Sequence, residues 1–118
     1  FAVTAGNTYF FEFIIPYTAA ATTTGSRWTI NGPGSPTLLN YRSWYPLTAT
    51  TETNNAATAY DIPAASNATS LTAGNVAVIK GIIKPSANGT VIARFASEVA
   101  SSAIVAKAGA TVFYQQVL

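Results

Sequence analysis

Cysteine, histidine and methionine are all absent from the 118 residues. Without cysteine, no disulfide and no thiolate metal site can form, and the redox compartment leaves no mark on the chain. Without histidine, the commonest general base and the commonest metal ligand are both missing. Methionine is missing even at position 1, which leads to the expectation of a processed product or a piece of a longer protein. Charge is scarce as well: 8% of residues are charged, against about a quarter in an average globular domain. The basic side chains Arg27, Arg42, Lys80, Lys84, Arg94 and Lys107 are scattered singly, so nothing resembles a nucleic-acid footprint. No apolar run approaches the roughly 20 residues that a bilayer-spanning helix needs, and no membrane insertion is expected.

Alanine, threonine, serine and asparagine take the place of the missing charge. Two surfaces are compatible with that. One is a β-sandwich whose outer faces are coated with hydroxyls and amides. The other is a low-charge surface buried against copies of itself, since interface cores are poor in charge and rich in aromatics. A chain of this length forms one domain, 1–118, with enough core to fold without staples.

The hydrophobic pattern has the two-residue period of strands. Thr8-Tyr-Phe-Phe-Glu-Phe-Ile-Ile-Pro16 is the densest segment, with Tyr9, Phe11, Phe13 and Ile15 on one face and Phe10, Glu12 and Ile14 on the other. Both faces are largely apolar, which predicts a central strand or one caught between a core and a partner. Phe1 to Thr4 predicts a short lead-in strand, Arg27 to Ile30 a short strand, and Thr37 to Tyr45 a strand stopped or edged by Pro46. Asn31-Gly-Pro-Gly-Ser-Pro36 is a rigid turn. Thr48 to Ala73 predicts a long connection with one weak strand near Ala59 to Ile62. Val76 to Lys84 and Thr90 to Ala96 flank Asn88-Gly89, the strongest short hairpin signal. Ala103 to Lys107 follows, then a turn at Ala108-Gly109, then a final strand from Thr111 to Leu118. No helix is expected. About eight antiparallel strands separated by turn signals point to an all-β fold, a jelly-roll or related β-sandwich.

Little here supports catalysis. The available bases are Glu12, Glu52, Asp61, Glu98 and three lysines; no Ser-x-x-Lys occurs, and Ser43 lacks a glycine-flanked elbow. Gly32-Pro33-Gly34 carries a proline where a phosphate loop must donate an N–H. No catalytic, cofactor-binding or metal residue is therefore assigned, and no cofactor is expected. Binding is better served. Trp28 and Trp44 are candidate stacking platforms for a ligand, with ordinary core positions as the alternative. Asn67-Ala-Thr69 and Asn88-Gly-Thr90 match the glycosylation sequon, a match that chance suffices to produce in so Thr- and Asn-rich a chain. Glu12, set among aromatics, requires a cationic partner, because an uncompensated buried carboxylate is costly. Arg94 is the first choice and Arg27 or Arg42 the next. Arg94 and Glu98 lie too far apart on one strand to bond each other, so each is expected to meet a charge on a neighbouring strand or subunit.

Tyr9-Phe-Phe-Glu-Phe-Ile-Ile-Pro-Tyr17, Thr22-Thr-Thr-Gly-Ser-Arg-Trp-Thr-Ile-Asn-Gly-Pro33, Gly81-Ile-Ile-Lys-Pro-Ser86, Arg94-Phe-Ala-Ser-Glu-Val99 and Ala106-Lys-Ala-Gly-Ala110 together resemble a C-terminal domain of tailed-bacteriophage virion structural proteins. Such modules are similar to the jelly rolls of C1q and tumour necrosis factor. The resemblance implies a non-enzymatic module of the virion, assembled in the bacterial host cytoplasm and attached to capsid or tail as a decoration or fibre. It implies a homotrimer that contacts other virion proteins and a host-surface glycan or protein. Tyr9, Phe11, Phe13, Phe113 and Tyr114 become the candidate oligomer interface, with the last strand near a three-fold axis. The alternative is a carbohydrate-binding or adhesin domain of a cellular protein that uses Trp28 or Trp44.

Overall fold

A computed structural model describes residues 1–64 and 71–117, and none of these is helical. The Asn67 sequon lies outside the described residues. Ten strands follow in order: β1 (Ala2–Val3), β2 (Thr8–Ala19), β3 (Ser26–Asn31), β4 (Leu38–Pro46), β5 (Glu52–Ala57), β6 (Asn75–Lys84), β7 (Gly89–Thr90), β8 (Ile92–Ser97), β9 (Ile104–Ala106) and β10 (Thr111–Val117). All of their pairings are antiparallel.

The main sheet runs β10-β2-β6-β4-β5, with β9 also on β2. As the alternation predicts, β2 is central, and Tyr9, Phe11, Phe13, Ile15 and Tyr17 all turn to one buried face. Register places Ile83, Ile79 and Ala77 of β6 on that same face, followed by Leu39, Tyr41, Ser43 and Tyr45 of β4. Over it lies a narrower layer made of the β3-β8 ribbon and the β1-β7 pair. Trp28, Ile30, Val3 and Val91 from that layer join the same hydrophobic core. Each large side chain buried this way contributes about 1.5–3 kcal/mol.

Pro16 stands within central β2 without breaking the sheet. β10 pairs with Thr8 to Ile14 and β9 with Tyr17 to Ala19, so the ladder is interrupted beside the proline, which has no N–H to give. Lys107 N–H donates to the Pro16 carbonyl across the gap at 2.9 Å. Gly109, at φ 97°, turns the chain there from β9 into β10.

The hairpin expected around Asn88-Gly89 does not form. Both edges of β6 are taken, one by β2 and the other by β4, so the chain after β6 must leave the sheet. It does so through buried Pro85, and neither Asn88 nor Gly89 takes the positive φ of a tight reversal. Gly89 instead lets the backbone approach Pro33, and Asn88 Oδ1 accepts from the Ala5 N–H at 2.9 Å. The strand expected from Thr90 to Ala96 then splits at Val91, where pairing passes from β1 to β3.

The long connection needs correction too. Its strand is β5, Glu52–Ala57, rather than a segment near Ala59 to Ile62. Hydrophobic period could not reveal β5, since Glu52-Thr-Asn-Asn-Ala-Ala57 carries almost no apolar side chains. Its pairing with β4 supplies the reason to be extended.

Candidate functional site

The predicted interface residues divide between inside and outside. Tyr9, Phe11 and Phe13 are buried within the chain's own core, with Phe11 fully so, and they have almost no surface to offer a neighbour. Phe1 completes that core, its ring 5.8 Å from Phe11 and 5.9 Å from Phe13. Phe113 and Tyr114 are exposed, at 58% and 51%. Register explains how they diverge: Tyr114 lies opposite Phe11 on the inner face, where it stacks on Phe1 at 4.7 Å, while Phe113 lies opposite Glu12 on the outer face.

Trp28 is fully buried and cannot be a stacking platform. Its ring lies 4.8 Å from Tyr17 and is stacked at 4.8 Å on Phe95. Its indole N–H donates to Ser26 Oγ at 2.9 Å, and Ser26 donates in turn to the Tyr17 hydroxyl at 3.1 Å. This buried chain accounts for three polar groups that would otherwise be desolvated alone. Trp44 is half-buried on the outer face of the main sheet.

A hollow of about 280 Å³ opens between the two layers, lined by Phe13, Ile15, Trp28, Ala93, Phe95 and Val112 among others. It is almost wholly apolar. β8, which forms one lip, pairs only with β3, and β10, which forms the other, pairs only with β2. The space between the main sheet and the smaller sheets is therefore open along this side, with strand edges unpaired among the described residues. Phe95 lies at the mouth, 43% exposed. The apolar run Val91-Ile-Ala93 leading to Phe95 was the available signal for this side, because its alternation is too weak for a strand with one wet face.

Among the described residues, charges settle into three pairs, one of them across neighbouring strands. Glu12 meets Lys80 at 3.1 Å, not Arg94, because register puts Lys80 directly opposite it. Arg94 meets Asp61 at 2.8 Å, and Asp61 Oδ2 also accepts from Asn31 Nδ2. Arg27 holds Glu98 through two parallel hydrogen bonds of 2.5 and 2.7 Å. Arg94 and Glu98 thus each meet a charge on another segment of the chain.

The inner face holds the perturbed phenols. Burial, reinforced by the Glu98 charge, pushes Tyr45 up to about 12, and its hydroxyl donates to the Ala64 carbonyl at 2.7 Å. Burial raises Tyr41 and Tyr60 as well. Tyr41 donates to the Ala59 carbonyl and is bonded to Thr29. These groups tie the loop after β5 to the core. Among the described residues no cluster of three His, Cys, Asp or Glu side chains could hold a metal ion, and no helix is long and apolar enough to cross a membrane.

No family model, no curated protein and no solved structure matches the chain.

Proposed function

We propose that the chain is a non-enzymatic structural module of a tailed-bacteriophage virion, a jelly-roll sandwich that assembles as a homotrimer on the capsid or tail. There it contacts other virion proteins and presents a surface to the host. The virion assignment and the number of copies rest on the resemblance carried by Thr22 to Pro33 and Arg94 to Val99. Self-association rests on the open side of the sandwich. An apolar hollow flanked by two singly paired strands is a hazard that monomeric β-proteins block with charge, proline or a covering element. No charged side chain lines this one, and it is rimmed by exposed Phe95 and the exposed strand β10. A second copy laid along β8 and β10 covers the hollow and supplies partners for both edges.

Light scattering of the 118-residue chain at micromolar concentration tests this reading. A mass three times that of the chain is expected. Phe95→Asp places a charge at the mouth of the hollow and should shift the mass toward the monomer while the β-sheet circular dichroism is retained. A monomer mass for the unaltered chain overturns the assembly. An image of the intact particle that lacks the module would remove it from the virion.

A further inference from the structure

A second hollow, of about 500 Å³, lies on the outer face of the main sheet and is within the size range of small-molecule sites. Asn40, Arg42 and Trp44 line it from β4, Lys80 from β6, and Thr58 and Ile62 from the segment after β5. The two-residue period of β4 sets its three contributors side by side on one face. Register puts Lys80 on one side of Arg42 and Ala56 on the other, and the small Ala56 side chain leaves the space beside the guanidinium open. Asp61, at φ 57°, turns the chain back after β5. The Ile62 carbonyl then accepts from Asn55 Nδ2 at 2.9 Å, which fixes the wall.

Charge distinguishes this hollow from the other polar hollow on the surface. In the polar hollow lined by Arg27, Asp61 and Arg94, both guanidiniums are already answered, by Glu98 and Asp61. Lys80 is answered by Glu12. Arg42 meets no carboxylate among the described residues, and its Nη1 donates only to the neutral Asn54 Oδ1 at 3.0 Å. A guanidinium carries five N–H donors in a planar fork suited to a carboxylate, so most of that capacity is open beside an accessible indole.

We propose that this hollow binds an acidic oligosaccharide, with one pyranose ring on the Trp44 face, a carboxylate on Arg42, and hydroxyls of the next ring on Asn40 and Thr58, since Asn40 lies about 13 Å along β4 from Trp44. An aromatic face receives the C–H side of a sugar ring while amides and hydroxyls take its polar rim. One unanswered cation matches one carboxylate. A phosphodiester tract instead recruits several basic side chains along its path, and no such row exists here. The site does not rest on self-association, because Arg42, Trp44 and Lys80 face away from the open side of the sandwich.

The test is titration of the 118-residue chain with an oligogalacturonate, with a neutral galactose oligomer of the same length, and with an oligodeoxynucleotide, followed by calorimetry and tryptophan fluorescence. Because Trp28 is fully buried, a fluorescence change on binding reports on Trp44. The acidic oligomer should bind, and added salt should weaken it. Arg42→Gln should lower its affinity by about tenfold or more, the loss of a charge-assisted bidentate contact. Trp44→Ala should abolish binding, and if that variant does not fold, the exposed Arg42→Gln decides the case. No binding of the acidic oligomer, equal binding of the neutral one, unchanged affinity in Arg42→Gln, or preference for the oligonucleotide each overturns the proposal.

Discussion

Gly81 lies where β4 and β6 approach each other closely. It lies in β6 opposite Phe11 of β2 and Tyr41 of β4, both of which turn inward. A Cβ at this position would come within 2.5 Å of Tyr41 Cβ and 2.7 Å of Tyr41 Cα, and closer still to the Asn40 carbonyl oxygen. Two of these neighbours are backbone atoms, so no side-chain tip can swing aside. Gly81→Ala must therefore push β4 and β6 apart. Overpacking of this kind costs about 1–3 kcal/mol, and the reduced freedom of the unfolded alanine chain returns only about 0.4–1 kcal/mol. With clashes this close against backbone the overpacking cost belongs in the upper half of its range, about 2–3 kcal/mol, which leaves a net of about 1–2.6 kcal/mol. At about 4 °C per kcal/mol for a domain of this size, the melting temperature should fall by about 4–10 °C. Gly74→Ala is the control. It has φ +80° but nothing within 4 Å, so it reports backbone strain of about 1 kcal/mol without crowding. Thermal unfolding followed by circular dichroism at fixed protein concentration gives both values. A Gly81→Ala protein as stable as the unaltered chain would refute the claim that close strand approach selects glycine here.

Stability should also fall in alkali, because Tyr45 is held at about 12 when folded, above its ordinary value near 10. The unfolded chain loses that proton first, so the Tyr45 contribution is complete below pH 10 and is lost as pH rises through 12, amounting to about 2–3 kcal/mol. Tyr41 and partly buried Tyr60, both raised by desolvation, act in the same direction. A melting temperature that stays flat across this window would contradict it. The Glu12–Lys80 pair is partly exposed, with side chains at 25% and 48%, so a double-mutant cycle should return a coupling of about 0–1 kcal/mol rather than the several expected of a buried pair. Glu12→Ala and Arg94→Ala should be additive, since the two side chains belong to different pairs. Denaturant unfolding measures all of these, and a Glu12–Lys80 coupling above about 2 kcal/mol would place the pair in a drier setting than the structure gives it.

The all-β class was legible because a two-residue hydrophobic period is a local property. Tyr9 to Tyr17, Val76 to Lys84 and Thr111 to Val117 carry it plainly, and each is a strand. The Ala108-Gly109 turn was equally local. What the sequence could not express is competition. Asn88-Gly89 is a sound hairpin signal, yet β2 and β4 occupy both edges of β6 and leave β8 to pair with β3. Likewise the aromatic run of β2 stands out in the sequence, but only the second layer determined that Tyr9, Phe11 and Phe13 are covered while Phe113 is not. The choice of Lys80 over Arg94 for Glu12 was settled by strand register, and the absence of a carboxylate partner for Arg42 among the described residues by where the acidic side chains came to rest. A strand's tendency to form is encoded within a few residues, whereas its partner, its register and the fate of each face depend on segments tens of residues away that compete for the same hydrogen-bonding edges and the same core.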